Sequence, residues 1–381
     1  MILLEALTIL IAFSISYYFI FVIRIIVGLR RLANFPSTNS GFQELPEVTI
    51  IVPIRNESHN LKRFINSLEQ TDYPSDNIEC IFIDDHSDDD SQAAFNLMTD
   101  VAIRIRFISL PGDTDNTIGR KPKALSLGVR NASSEIILTT DADCTPPKGW
   151  IFGMVQALTE DTSFVAGPVI EVERATIFSR IENLEFLSLV VSGAGLIGIG
   201  TPIICNGANL AFRRSSFLEA EGFGETHSSC SDETLMHRIL HRHIGKVKFL
   251  ADPSVLMLTA SDPSFGTFIH RRVRWASKKE RYENPWVLVE LVLLYICTII
   301  PLLSVPLILL HPPLFIPLLL FFGMKFIIDL IAMKTGANLF GVHFKMSDFL
   351  LAEILHTPYI FVTGLWGQFG TFRWKKRELD K

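Results

Sequence analysis

Hydrophobic residues are concentrated at the two ends of the chain, and a segment of ordinary soluble composition separates them. Near the start, residues 6–23 form an uncharged apolar run long enough to cross a bilayer as one helix. A cleaved signal peptide would carry its basic residues before the run, whereas here they follow it, at Arg24, Arg30 and Arg31. The pattern predicts a membrane anchor over residues 1–30, and the positive-inside rule places the domain that follows in the cytoplasm.

A second apolar block lies near the other end of the chain. Two runs, 287–310 and 314–333, are separated by a proline-rich turn and predict a transmembrane hairpin over residues 286–334. A weaker apolar stretch, 348–367, and a basic tail make up the remaining segment, 335–381. Because the basic tail favours the cytoplasm, this stretch is predicted to be re-entrant or interfacial, with a true membrane span as the alternative.

Strand-like apolar runs alternate with segments of helical periodicity through the central residues, 45–285. The predicted strands cover residues 48–52, 78–83, 103–109 and 136–140, and the predicted helices cover residues 58–70, 89–99 and 121–131. This alternation predicts an α/β domain with a parallel, doubly wound sheet. Since such sheets bind ligands at the carboxyl ends of their strands, the polar segments that follow the strands are candidates for a site.

Composition narrows the class of function. A net charge of −5 provides no basic surface of the kind that binds nucleic acid, so no nucleic-acid partner is expected. The five cysteines are scattered, without a paired or zinc-binding spacing, which predicts reduced thiols in a protein that faces the cytosol.

Asp141 and Asp143 directly follow the fourth predicted strand. Carboxylate oxygens of this kind suit Mg²⁺ or Mn²⁺ held against the diphosphate of a substrate. Such a pair is common in solvated turns, so its interpretation depends on the other polar segments of the domain.

Polar residues also follow the first two strands, over 52–57 and 84–89. The carboxylates Asp84 and Asp85 could accept hydrogen bonds from a nucleotide base, or they could cap the next helix. Lys121 opens a predicted helix, where a lysine and the helix-terminal N–H groups could meet phosphate.

Three later segments complete the set. A glycine turn with two amides occupies residues 206–209, acidic residues begin a helix at Ser231-Asp232-Glu233, and an arginine cluster at 271–274 precedes Trp275 and the second apolar block. Helix capping would account for the acidic residues, and contact with lipid phosphate would account for the arginines.

In this order the segments resemble the motifs of the family 2 glycosyltransferases, specifically the membrane-bound, bacterial-type members. The resemblance runs from about Val48 to Trp275 and includes the flanking apolar runs. It implies a GT-A-type nucleotide-diphospho-sugar transferase domain, with a Rossmann-like, mostly parallel sheet and flanking transmembrane helices. The matching segments are ValProIleArgAsnGlu, AspAspHisSerAspAsp, Lys121 with Ala124-Leu125, AspAlaAsp, SerAspGluThrLeu and ArgArgValArgTrp.

The resemblance also implies a role for each matched residue. Asp141 and Asp143 would hold the metal ion, Mg²⁺ or Mn²⁺, and Asp232 would be the general base. The donor would be a nucleotide-diphosphate sugar, and the resemblance suggests a UDP-sugar. The residues implied to contact the donor are Pro53, Glu57, Asp84, Asp85, Lys121, Asp141, Arg274 and Trp275.

The chain departs from the family pattern at two positions. Ser231 replaces the acidic residue that commonly precedes the base, and a shift of the alignment by one residue would make Glu233 the base. Arg271 stands where the family has the glutamine of its Gln-x-x-Arg-Trp motif, which puts any acceptor contact of that glutamine in doubt.

These expectations describe an inverting glycosyltransferase of the inner (cytoplasmic) membrane, multi-pass, with its catalytic domain in the cytoplasm. It would transfer a sugar to a lipid-linked or membrane-associated saccharide acceptor, and a single base acting in one displacement implies inversion. The alternatives are a processive polysaccharide synthase, a polyprenyl-phosphate sugar synthase and an inactive membrane scaffold on the same fold.

Overall fold

A computed structural model describes residues 2–34, 44–112, 120–224, 232–262, 264–276, 283–369, 372–374 and 377–379. Ser231 and part of the basic tail lie outside these residues. The α-helices are α1 (Ile2–Ala33), α2 (Ser58–Glu69), α3 (Ser91–Asn96), α4 (Arg120–Asn131), α5 (Trp150–Ala157), α6 (Ile177–Gly198), α7 (Arg214–Glu219), α8 (Asp232–His241), α9 (Phe265–Ala276), α10 (Pro285–Ser304), α11 (Phe315–Phe340) and α12 (Met346–Phe369). The strands are β1 (Val48–Ile54), β2 (Ile78–Asp84), β3 (Arg104–Ser109), β4 (Ile136–Thr139), β5 (Thr162–Ala166), β6 (Val169–Glu171), β7 (Leu210–Arg213), β8 (Lys246–Phe249), β9 (Met257–Thr259), β10 (Phe372–Trp374) and β11 (Arg377–Leu379).

The central domain is built on a seven-stranded sheet in the order β3-β2-β1-β4-β7-β5-β8. Every strand pair is parallel except the two that involve β7. Strands β2 and β4 are buried along their whole length, as strands of a parallel sheet covered on both faces should be. The predicted α/β class with a mostly parallel sheet is therefore confirmed. The four predicted strands also agree with the structure to within two residues, whereas α3 is shorter than predicted.

Strand β7 is the feature of the sheet that simple strand–helix alternation does not predict. Its first residue, Leu210, pairs with Thr139 at the end of β4 and with Ala166 at the end of β5. Strand β7 therefore begins beside the carboxyl ends of β4 and β5 and runs antiparallel to them. The turn at residues 206–209, which precedes β7, consequently lies at the carboxyl ends of the strands, where such sheets bind ligands.

Among the described residues, five helices are long and apolar enough to cross a membrane: α1, α6, α10 with the short 3-10 turn that follows it, α11 and α12. Helix α6 was not expected from the sequence. In the most apolar stretch of α6, 61% of the residues are buried within the protein, whereas the share is 17–28% in the other four helices. Helix α6 therefore packs mainly against other parts of this chain, while the other four expose most of their apolar surface.

Small residues bring α1 and α6 into close contact. A Cβ atom added at Gly195 would lie 2.5 Å from the carbonyl oxygen of Ile25, and one added at Gly198 would lie 2.6 Å from that of Gly28. Such close approach of two backbones requires glycine at the crossing. The N-terminal helix is thereby packed directly onto the helix that borders the central domain.

Charged residues within the apolar helices pair with one another. Arg24 of α1 contacts Glu290 of α10. In α11, the Nζ atom of Lys325 lies 2.7 Å from Asp329 and also contacts Glu353 of α12. Since charges in an apolar environment are costly unless paired, these contacts explain how the helices tolerate them.

Helix α12 corresponds to the stretch predicted to be re-entrant or interfacial. It is continuous over 24 residues and packs against α6 and α9. The Nε atom of Arg180 lies 2.9 Å from Asp348, and the rings of His270 and Trp366 are 6.3 Å apart. Contacts with the central domain near both ends of the helix favour an interfacial position, which stays a prediction.

The position of α12 predicts the location of the tail. If α12 is interfacial, a cysteine at position 376 (Lys376→Cys) should react with an impermeant maleimide only after intact cells are permeabilised, because two spans after the domain return the chain to the cytoplasm. His311→Cys, in the turn between α10 and α11, is the matched control and should react in intact cells. Labelling of both positions in intact cells would instead make α12 a true span.

Candidate functional site

A large cleft lies at the carboxyl ends of the sheet strands, with a volume of about 1410 Å³. Of the residues predicted for the site, all but Asp84 line it. They are Pro53, Glu57, Asp85, Lys121, Asp141, Asp143, Asp232, Glu233, Arg274 and Trp275. Residues more than 200 positions apart in the sequence thus reach the same cleft, as expected at the carboxyl ends of the strands in such a sheet.

The two aspartates at the end of β2 have different surroundings. The carboxylate of Asp84 accepts hydrogen bonds from the backbone N–H of Ser87 at 3.2 Å and from its hydroxyl at 2.5 Å. Asp84 therefore stabilises the turn at Ser87 and does not cap α3, which begins at Ser91. The structure does not place Asp84 on the cleft wall. Asp85 lines the cleft instead.

Arg55 connects the segment after β1 to the segment after β2. Its side chain is 7% exposed, and its Nη1 atom donates hydrogen bonds to the carbonyl oxygens of Asp85 at 2.6 Å and His86 at 3.1 Å. His86 has a left-handed backbone with φ of 53°. Arg55 thus fixes the backbone next to Asp85, a role that the sequence motif alone did not reveal.

The centre of the cleft brings three sequence-distant residues together. The Nζ atom of Lys121, at the start of α4, lies 2.9 Å from Asp141 Oδ1, just past the end of β4. The same Nζ atom lies 4.0 Å from Asp232 Oδ2 at the start of α8. A single ammonium group therefore lies between the candidate metal ligand and the candidate base.

Asp232 rests directly against the turn before β7. A Cβ atom added at Gly207 would overlap the Asp232 carboxylate, so only glycine leaves room for it. The turn is held in place by a hydrogen bond of 3.0 Å from the Thr139 hydroxyl to the Gly207 carbonyl oxygen, and by another of 3.0 Å from the Ala208 N–H to the Asn206 side chain. The backbone at residue 207 thus sets the position of Asp232.

Asn209, the second amide of that turn, is completely buried. Its side-chain oxygen accepts a hydrogen bond from Trp150 Nε1 at 2.9 Å, and its Nδ2 atom donates to the carbonyl oxygens of Pro168 and Val255, each at 2.8 Å. These bonds connect the turn to α5 and to the segments near β6 and β9, which makes Asn209 a structural residue.

Asp141 and Asp143, the predicted metal ligands, both line the cleft. The described residues contain no group of three or more His, Cys, Asp or Glu side chains that could hold one. A protein site of one or two carboxylates, completed by substrate phosphates and water, is how Mg²⁺ is commonly bound. The two aspartates fit an ion of this kind, which would be bound together with the substrate.

Arg271, the residue in place of the family's glutamine, is surrounded by acids. Its Nη2 atom lies 2.5 Å from Glu171, 3.0 Å from Glu182 and 2.6 Å from Asp262. Burial raises the pKa of the Glu171 carboxyl to about 8, although Arg271 opposes that shift. The arginine that stands in place of the glutamine thus pairs with acidic residues on β6, α6 and the segment before α9.

Trp275 packs against the neighbouring arginine. Arg272 is buried, contacts Glu185 and places its guanidinium 4.4 Å from the centre of the Trp275 ring. On another side, the rings of Phe186 and Trp275 are 6.1 Å apart. These contacts hold the indole in place while it borders the cleft.

Comparison with known sequences identifies the family. The profile described as "Glycosyl transferase family 2" matches residues 49–219, and the profile described as "Glycosyl transferase family group 2" matches residues 136–333, just over half of the chain. The chain belongs to glycosyltransferase family 2. The family is one of nucleotide-sugar transferases, and the expected resemblance is therefore confirmed.

Curated relatives of this family 2 glycosyltransferase include two bacterial proteins. "Probable glycosyltransferase YdaM" from Bacillus subtilis is 26% identical over 254 residues, which are 64% of this chain and 57% of that protein. "Beta-monoglucosyldiacylglycerol synthase" from Synechocystis sp. is 23% identical over 248 residues, which are 63% of this chain and 50% of that protein. The chain thus spans between 50% and 57% of the length of these two relatives.

A solved structure shares the fold over nearly the whole chain. It is the mannosyltransferase PcManGT from Pyrobaculum calidifontis, determined with GDP-Man and Mn²⁺, with a TM-score of 0.60 and 16% sequence identity. The match covers 95% of this chain and 98% of that one, so it includes the apolar helices as well as the central domain. The GT-A-like fold expected from the sequence is confirmed.

The packing of Gly207 against Asp232 yields a test of the site. Gly207→Ala should reduce sugar transfer by about 100-fold, the scale expected when a reacting group is displaced by about 1 Å. Gly112→Ala is the matched control, because a Cβ atom there meets no atom of the described part of the chain within 4 Å. Transfer rates and thermal unfolding of both variants are compared with the wild type. An active Gly207→Ala enzyme would show that the position of Asp232 does not matter.

Proposed function

We propose that this enzyme is an inverting, metal-dependent glycosyltransferase that moves a sugar from a nucleotide-diphosphate donor to a lipid-linked or membrane-associated acceptor at the cytoplasmic face of the inner membrane. The observation that carries the proposal is that the Nζ atom of Lys121 lies 2.9 Å from Asp141 and 4.0 Å from Asp232. These residues lie in a cleft that is also lined by helices apolar enough to cross a membrane.

The donor occupies the end of the cleft formed by β1, β2 and β4. Glu57 and Asp85 lie where the nucleoside would bind, and Asp141 and Asp143 would hold Mg²⁺ or Mn²⁺. The ion supplies charge neutralisation for the departing diphosphate. Arg274 adds a guanidinium that can pair with two phosphate oxygens at once. The motif resemblance favours a UDP-sugar, and the GDP-Man and Mn²⁺ bound to the mannosyltransferase of the same fold support a nucleotide sugar with a divalent cation.

Asp232 is the proposed general base. It takes the proton of the acceptor hydroxyl as that oxygen attacks the anomeric carbon, and the sugar–phosphate bond breaks on the opposite face, which inverts the configuration. The neighbouring Lys121 favours the ionised carboxylate that a base requires. Glu233, the alternative base, is 3% exposed, whereas the side chain of Asp232 is 14% exposed and directly beside Lys121.

A lipid acceptor is supported by the cleft and by one relative. The cleft continues between α6, α10 and α12, and a relative is named for the synthesis of a glucosyl diacylglycerol. A polyprenyl-phosphate acceptor would need no base, which would leave Asp232 without a role. The alternatives of processive polymer synthesis and an inactive scaffold predict different products, and the assay below distinguishes them from the proposed function.

A panel of labelled nucleotide sugars tests the proposal. The purified full-length protein is incubated with UDP- and GDP-sugars, Mg²⁺ or Mn²⁺ and an extract of membrane lipids. We expect one labelled, solvent-extractable product with inverted anomeric configuration. We also expect transfer to be lost when the metal is chelated or when Asp143 is replaced (Asp143→Ala). Full activity in excess chelator would contradict the metal assignment, a long water-soluble product would indicate a polymerase, and no product with any donor would favour a scaffold.

The base assignment is tested by two isosteric variants. Asp232→Asn should lower the transfer rate by about 10²-fold or more while the affinity for the nucleotide is retained, because the amide keeps the shape but cannot accept the proton. Glu233→Gln is the matched control and should remain much more active. The reverse result would identify Glu233 as the base and would shift the motif alignment by one residue.

A further inference from the structure

The cleft is larger than the donor site requires. Its volume of about 1410 Å³ exceeds the roughly 300–1,000 Å³ that is typical of a site for one small molecule. The polar residues described above account for the end near the sheet. The remaining space lies between apolar side chains of three helices, and it is this part that has no assigned occupant.

Each of the three helices contributes one continuous apolar stripe. The stripes follow helical periodicity, so each lies on a single face. Helix α12 packs against both α6 and α10 and connects the other two stripes. The lining residues are Phe186, Leu189, Val190 and Gly193 on α6, Leu288, Leu291, Val292 and Tyr295 on α10, and Ile360, Thr363 and Gly364 on α12. We call this part of the cleft the apolar groove.

The packing between α10 and α12 shapes the groove. The hydroxyl group of Tyr295 donates a hydrogen bond to the carbonyl oxygen of Phe361 at 3.3 Å. A Cβ atom added at Gly364 would lie 2.5 Å from the Tyr295 ring, so glycine is what allows this close approach. On the outer side, Leu288 and Val292 are 53% and 47% exposed. The contact between Tyr295 and Gly364 thus closes the groove on its inner side, while the groove is open along α10. Helix α10 is long and apolar enough to lie in a bilayer.

At its other end the groove meets the catalytic part of the cleft. Phe186 of the groove contacts Trp275, and Asp232 lines the same cavity. Near this junction the guanidinium of Arg271 is already shared among Glu171, Glu182 and Asp262. Because three acidic residues already contact this guanidinium, Arg271 is not the partner that an anionic head group would need, whereas a neutral hydroxyl group needs no such partner.

We propose that the apolar groove binds the hydrocarbon chain of the acceptor, and that the acceptor is a lipid whose neutral head group presents a hydroxyl to Asp232. This inference rests on the proposed function and specifies the acceptor for the same site. A chain held between α6, α10 and α12 enters from the bilayer through the open side at α10. Its head group then lies between Trp275 and Asp232, beside the donor sugar.

The experiment uses full-length protein in phosphatidylcholine nanodiscs and a diacylglycerol probe with a diazirine in one acyl chain. Irradiation should label the groove residues of α10 and α12, and unlabelled diacylglycerol should compete. Val292→Trp fills the groove, whereas Val289→Trp is the matched control, because Val289 is similarly exposed at 43% but lies outside the groove. Val292→Trp should reduce groove labelling and raise the KM for dioleoylglycerol at least about tenfold, or about 1.4 kcal/mol. The control should change neither value, and both variants should bind the nucleotide as the wild type does.

The outcomes separate this inference from the proposed function. Equal labelling and equal KM for the two tryptophan variants would overturn the groove assignment while transfer itself remained. Equally strong labelling by a photoreactive phosphatidylcholine, without competition by diacylglycerol, would also overturn it, because the groove would then be an ordinary lipid-facing surface. Competed labelling that Val292→Trp abolishes, without sugar transfer to any acceptor, would support a lipid site and would contradict the proposed function.

Discussion

The contact of Lys121 with Asp141 and Asp232 is the interaction on which the arrangement of the site depends. The lysine begins α4, one aspartate follows β4 and the other begins α8, so the contact exists only when three separate elements are correctly packed. Two carboxylates in one cleft repel each other, and the ammonium group between them offsets that repulsion. Strand β4 is buried within the sheet, and α4 packs against β1 and β2. The glycine turn before β7 leaves the space that Asp232 requires.

The second constraint is the direct packing of the apolar helices on the central domain. Glycines at the crossing of α1 and α6 allow the two backbones to touch, and α12 packs against α6 and α9. Because α6 and α9 also supply cleft residues, including Phe186 and Trp275, the apolar helices and the active-site wall form one packed structure. In the proposed function, this packing allows a lipid acceptor that stays in the membrane to reach a nucleotide sugar that is bound from the cytoplasm.

Most of the central fold follows from local sequence patterns. The strands that begin at Val48, Ile78 and Ile136 are apolar runs ended by polar residues, so the sequence pattern alone locates them along the chain. The antiparallel β7 and the apolar helix α6 were not predicted. Four residues of β7 carry too little periodic signal to assign a direction, and the direction depends on the edge of the sheet from which the chain enters. The apolar face of α6 resembles any buried helix until its neighbours are known.

The site shows the same division. The sequence by itself determined which polar residues follow the strands and begin the helices, and all but one of the site residues predicted in this way line the cleft. Only the tertiary structure decided between Asp84 and Asp85, since both have the same local sequence and differ in which side of the turn they face. It also decided that Arg271 faces three acids from distant segments and that three apolar stripes meet in one groove. Local sequence patterns predict the secondary structure of each segment, whereas these features depend on contacts between segments that are distant in the sequence.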